Sequence, residues 1–120
     1  MSLTVEPYVR DSGGIAVQRE GGSQSHKLAG FESWRRELWG SDAALALGLS
    51  LLPTLRSTDL YAEGGDLARL ERELTVLLEH VESVASQTRK SAELIRENAQ
   101  NILTAIGRAR ELGGGVVISS

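Results

Sequence analysis

From Leu67 to Leu112 the chain repeats every seven residues. Leu67, Leu74, Val81, Thr88, Ile95, Ile102 and Ala109 form one row, and Leu70, Leu77, Val84, Ser91, Asn98, Ala105 and Leu112 form a second, three residues further on. Such a pattern lays an apolar stripe along a helix, and that stripe has to be covered. Two arrangements cover it. One is a continuous helix of about 70 Å, at about 1.5 Å per residue, paired with a second chain as a coiled coil. The other is an antiparallel helical hairpin that folds the stripe on itself near Ser86–Thr88. The hairpin is preferred. Both rows turn polar at Thr88 and Ser91, Ser86-Gln87-Thr88-Arg89-Lys90 is the gap in apolar residues, and so long a helix is uncommon in a small domain. No Gly or Pro marks the turn, and Thr88 is a candidate cap for the second helix.

The flanking segments set the fold class. Leu3, Val5, Pro7 and Val9 alternate with polar residues, the period of a half-buried strand, and Pro7 places that strand at a sheet edge. Asp11-Ser12-Gly13-Gly14 is turn chemistry, and Ile15 to Arg19 reads as the return strand. Glu20 to Ala29 reads as a polar loop. Gly30 to Gly40 is predicted to be a short helix that gathers Phe31, Trp34, Leu38 and Trp39 in one arc, with Ser41 or Asp42 capping the next. That next helix, Ala43 to Leu52, is apolar nearly all round, is expected to lie centrally, and stops at Pro53. Leu60 to Glu63 is a candidate strand, Gly64-Gly65 breaks the chain, and Asp66 caps the long helical region. Gly113-Gly114-Gly115 ends the last helix, and Val116-Val117-Ile118 reads as a strand buried on both faces. The expected fold is α+β: a small three- to four-stranded sheet packed against about four helices, including a long C-terminal helical hairpin, in one domain spanning 1–120.

Composition narrows the function. Aromatic residues make up 4% of the chain, so Leu, Val, Ile and Ala must build the core. Thirteen basic against sixteen acidic residues, a net charge of −3 and no run of Lys or Arg argue against nucleic acid. The absence of cysteine excludes disulfides and thiolate metal sites. The start, MSLTVEPYVR, lacks the pattern of a signal peptide, and Ala43 to Leu52 is too short to span a bilayer. A cytoplasmic protein with no membrane or cofactor requirement is expected.

No constellation of residues spells out a reaction or a metal site. His26 sits among Ser23, Ser25 and Lys27 without an orienting acid, and His80 has no second His one turn away. The double glycines match neither a P-loop nor a dinucleotide fingerprint. Glu71/Glu73, Glu79/Glu82 and Glu93/Glu97 alternate with Arg and Lys, the pattern of a solvated helix face. Asn98 interrupts the seam as a register-setting residue does. The segment Trp34-Arg35-Arg36-Glu37-Leu38-Trp39 stands out. Arg35 falls inside the apolar arc, where it must either stack on Trp39 or pair with a carboxylate of the long helices, or else belong to an exposed patch with Trp34, Arg36 and Trp39. Trp and Arg are common anchors of protein interfaces, so these four are the candidate partner-binding residues.

Three stretches, Leu28 to Ser41 (LAGFESWRRELWGS), Leu47 to Leu55 (LGLSLLPTL) and Gly113 to Ser119 (GGGVVIS), together resemble small bacterial proteins similar to immunity proteins of toxin competition systems. The resemblance implies a cytoplasmic, non-catalytic protein that binds one protein partner, and it carries no functional residues with it. A homodimer built on the seam of 67–112 is the alternative, and a small-ligand binder or enzyme using Arg35 and Tyr61 the lesser one.

Overall fold

The computed structural model describes residues 2–14, 16–18 and 27–120. His26, its serine neighbours, and residues 15 and 19 lie outside them. The chain runs β1 (Ser2–Arg10), β2 (Ala16–Gln18), β3 (Lys27–Phe31), a π-helical turn (Arg35–Trp39), α1 (Asp42–Ala46), a 3-10 turn (Leu52–Arg56), β4 (Leu60–Glu63), α2 (Gly65–Glu79), α3 (Val81–Thr88), α4 (Ala92–Leu112) and β5 (Gly115–Ser119). This is the α+β architecture expected from the sequence. Every strand pairing is antiparallel, in the order β2-β1-β5-β4. The fifth strand, β3, pairs with β1. Because β5 already pairs with Thr4 to Tyr8 on one flank of β1, β3 and β2 share the other. The sheet is thus four strands wide.

β5 is central, and Val116, Val117 and Ile118 are all buried, as a continuous apolar run requires. β1 is central too, which corrects the edge position inferred from Pro7. The register of β3 reaches only to Val5, and that of β2 begins at Tyr8. Pro7 falls in the gap between them, where its missing N–H breaks no bond to either strand. Lys27 to Ala29, expected in a loop, belong to β3.

The seven-residue repeat folds as a hairpin. α2 and α3 are separated by a single kinked residue, the exposed His80, whose Nδ1 lies 3.0 Å from the carbonyl of Val76. The turn comes at Arg89, in the left-handed region at φ 59°, slightly beyond the Ser86–Thr88 expected. Ser91, not Thr88, caps α4 by accepting the N–H of Leu94 at 3.2 Å. Thr88 instead donates to the carbonyl of Val84 and closes α3. Antiparallel ion pairs tie the two arms at each end, Glu71 to Arg110 and Glu82 to Arg96. Leu67, Leu70, Leu74, Leu77, Val81, Val84, Ile95, Ile102, Ala105 and Ala109 are buried in one cluster with Val5, Val116 and Ile118. The seam is thus consumed within the chain, and no straight helix past Thr88 offers it to a second copy.

Between Phe31 and Arg56 the helical expectations fail in an informative way. Gly30 and Phe31 end β3, and only a π-helical turn comes after them. Ser41 caps α1 as anticipated, but α1 lasts five residues and leaves Leu45 and Ala46 exposed. Gly48, at φ 84°, lets the chain turn out of the helix. Pro53 lies in the first turn of the 3-10 segment and so starts it instead of stopping a helix. Asp66 is likewise in the first turn of α2, and the cap position is Gly64.

A carboxylate explains the interruption. Glu73, on α2, is buried and turned inward. Its two oxygens accept the backbone N–H groups of Ser50 at 2.9 Å, Leu51 at 2.9 Å and Leu52 at 3.0 Å, and the hydroxyl of Ser50 at 3.2 Å. Arg69 donates to that same hydroxyl. The carboxylate thereby supplies the partners that a continued helix would have supplied. Each donor orphaned in the interior costs about 1–3 kcal/mol. Glu73→Ala is therefore expected to lower the unfolding free energy in urea by about 3 kcal/mol, and Glu73→Gln by less, since it keeps one acceptor oxygen. An Ala variant within about 0.5 kcal/mol of the parent would show that these donors find other partners.

Candidate functional site

Trp34, Arg35, Arg36 and Trp39 do not form an exposed patch. Trp34 and Trp39 are interior residues, packed edge to face with ring centroids 5.9 Å apart. The indole N–H of Trp39 donates to the carbonyl of Ala29 at 2.9 Å. Arg35 is 14% exposed, and all three of its nitrogens are engaged. Nε donates to Glu32 at 2.6 Å, Nη1 to the carbonyls of Leu55 and Thr58 at 3.1 and 2.8 Å, and Nη2 to Asp59 at 2.6 Å and to the Ser120 hydroxyl at 3.2 Å. Neither Trp39 nor the long helices supply its partners. Arg35 is a rivet that joins the end of β3, the 3-10 segment and the start of β4. Of the four residues only Arg36 is at the surface.

The exposed apolar surface lies nearby, built by a bulge. Ser2 of β1 pairs with Phe31, and Thr4 with Leu28, so two steps on β1 face three on β3. The extra residue re-aims the side chains beyond it. In a regular strand residues three apart point to opposite faces. Here Leu28 and Phe31 both line one groove with Leu94 of α4. Gly30 makes the bulge possible. Its φ is 105°, and a Cβ at that position would stand 2.2 Å from the ring of Trp34. Phe31 rests edge-on against Trp34, centroids 5.9 Å apart, so a buried ring orients an exposed one. Leu28 is 45% exposed, Phe31 54% and Leu94 41%.

The groove has a volume of about 380 Å³, and Ser2, Glu97, Asn98 and Asn101 complete its lining. Asn98, expected to set helix register, donates to the carbonyl of Leu94 in its own helix at 2.9 Å. Asn101 donates to the carbonyl of Leu28 at 2.8 Å and so fastens β3 to α4. Pattern alone marks neither Leu28 nor Leu94 as a site residue. A signal for Leu94 does exist: it is a large apolar residue on α4 that belongs to neither heptad row. Its apolar spacing places Phe31 in the buried arc of a helix that does not form.

Two further grooves hold ion pairs. One, of about 610 Å³, is lined by Glu32, Ser33, Arg35, Arg36 and the segment Arg56 to Asp59. The Glu32 carboxyl sits below its ordinary range, chiefly through the nearby Ser120 hydroxyl, then through Arg35, against the cost of desolvation. The other, of about 620 Å³, is lined by Tyr8, Arg10, Glu63, Gly64 and the end of α4. There Arg10 donates from Nε to both oxygens of Glu63, at 2.8 and 3.0 Å, and the Tyr8 hydroxyl donates to the same carboxylate. Arg10, then Tyr8, lowers the pKa of Glu63. Both carboxyls are thus held ionised at neutral pH, whereas a general acid or base works best with a pKa near the working pH. Tyr61 is exposed and packs edge-on against Tyr8. Of the paired carboxylates, Glu71 and Glu82 take ion pairs and Glu73 turns inward. Among the described residues no group of three or more His, Asp or Glu could hold a metal ion, and no helix is long and apolar enough to cross a membrane.

Two expectations arise from this geometry. Gly30→Ala must relieve both a left-handed backbone and a clash with Trp34, so it is expected to destabilise by at least about 2 kcal/mol in urea. A neutral substitution would mean that the bulge relaxes freely. The second concerns Tyr8, whose hydroxyl is pushed up from 10.0 to about 12 by burial first, then by its hydrogen bond to Glu63. Its folded pKa lies above its unfolded one, so the stabilisation is fully present below pH 10.0 and lost as pH rises through about 12. In a Tyr61→Phe background the phenolate absorbance should appear near pH 12, and earlier when Glu63→Gln is added. Ionisation near pH 10.0 in the folded protein would contradict the Tyr8–Glu63 contact. No family model matches this chain, and no curated protein and no solved structure matches it either.

Proposed function

We propose that this chain is a non-catalytic, cytoplasmic protein-binding module of the immunity type, which docks a single protein partner through the groove between β3 and α4. The observation that carries the reading is the clustering of exposed apolar side chains. Of the five large apolar residues exposed among the described residues, three (Leu28, Phe31 and Leu94) share this one groove. The other two, Leu45 and Tyr61, lie on separate elements. Clustered exposed apolar surface with a polar rim is characteristic of binding faces. An aromatic ring already oriented by a buried neighbour loses little freedom on binding, which favours it as an anchor.

The test is a capture experiment with the tagged full chain and two groove variants, Phe31→Asp and Leu94→Asp. A stoichiometric protein partner is expected with the parent and lost with either variant, and the thermal unfolding of both variants should stay close to the parent. Leu45→Asp serves as a control and should retain the partner. A partner held equally by the parent and both groove variants would place the binding face elsewhere.

A further inference from the structure

The groove carries charge as well as apolar surface. Leu94 stands on α4 beside Glu93 and three residues before Glu97, and the two glutamates share a helix face as an i, i+4 pair. Both are exposed. The other glutamates of the hairpin that flank its apolar face are occupied: Glu71 by Arg110, Glu82 by Arg96 and Glu73 by backbone N–H groups. Among the described residues no ion pair holds Glu93 or Glu97. Among the described residues no Lys or Arg lines the groove. Asn98 and Asn101 each commit one amide N–H to a backbone carbonyl, which leaves each side chain its oxygen and one further N–H. An apolar floor thus meets two amides and the Glu97 carboxylate, and Glu93 stands one helical turn before Glu97 on the same face.

We infer that the groove takes a basic amphipathic segment of a protein partner: a helix that seats a large apolar side chain between Phe31 and Leu94 and sets Lys or Arg, one turn away, on Glu93 and Glu97. This deepens the docking reading above and rests on it. Charge complementarity selects the partner. An acidic segment would bring like charges against Glu93 and Glu97, which costs affinity directly. A wholly apolar segment would bury the Glu97 carboxylate and the two amide oxygens without donors. A basic segment supplies donors at the rim and keeps the apolar contact over Leu28, Phe31 and Leu94.

Two labelled synthetic helical peptides of about 16 residues test this. They share one Leu/Ile face and differ only in the polar face, Lys and Arg in one, Glu and Asp in the other. Fluorescence anisotropy with the intact chain is expected to show binding of the basic peptide alone. Phe31→Ala should weaken it at least about tenfold, and the double variant Glu93→Gln/Glu97→Gln about fivefold. Leu45→Ala and Glu79→Gln should leave it unchanged. Equal binding by the double Gln variant would show that the peptide merely senses an acidic protein, and the inference would fall. Tight binding of the acidic peptide to the groove would overturn it as well. If neither peptide binds but a protein partner is captured and then lost on Phe31→Asp, the inference fails while the docking reading stands. If capture survives both Phe31→Asp and Leu94→Asp, the docking reading fails too.

Discussion

Glu73 places a carboxylate where three successive backbone donors, those of Ser50, Leu51 and Leu52, converge. Much of the molecule depends on that contact. It fixes the start of the 3-10 turn, and the turn carries the carbonyl of Leu55 to Arg35. Arg35 also collects Thr58, Asp59 and Glu32. The segment after β3 is thereby locked to the start of β4, with Trp34 and Trp39 beneath it. A charge accepting several N–H donors is well solvated by the protein itself, so its burial is tolerable only while every donor stays in place. The arrangement is cooperative for that reason. It converts a run of sequence that looks like one apolar helix into a short helix, a turn and a 3-10 segment.

The candidate interface depends on this frame indirectly. Phe31 is a surface residue, but its orientation comes from Trp34, and Trp34 is held by its contacts in the core. Gly30 then allows the strand to bulge over that ring. Asn101 ties the same strand to α4, which brings Leu94 to the opposite wall. A binding face on a strand and a helix braced this way is rigid before any partner arrives, and rigidity lowers the entropic cost of association. The four residues favoured on residue type, Trp34, Arg35, Arg36 and Trp39, contribute mostly as the support of this face. Trp and Arg are as useful inside a protein as at an interface, and their sequence pattern does not separate the two uses.

The hairpin settles how the strongest sequence signal is used. A heptad seam can be covered by another chain or by the same one. Here the polar interruption at Thr88 and Ser91 coincides with a left-handed residue at Arg89 and a serine cap, and the two arms close on each other and on the sheet. That leaves little apolar surface on the helices. Leu94 is exposed because it lies off the seam, and its exposure makes the groove.

By itself the sequence determined the elements whose signal is periodic and local. The helical hairpin, the cap at Ser41, the strand at Val116 to Ile118 and the α+β class were all legible, because side-chain period and cap chemistry report directly on local structure. Tertiary structure alone decided the rest. Pro7 lies in a central strand because two short strands share its flank and leave a gap there. Glu73 is internal because a distant loop supplies three donors, although its place about 40° from Leu77 on a helical wheel, at about 100° per residue, put it at the edge of the stripe. Phe31 is outside, on the same side as Leu28, because a bulge at Gly30 shifted the strand's alternation by one residue. Each of these outcomes turns on a partner remote in sequence, and no local pattern encodes where such a partner will be.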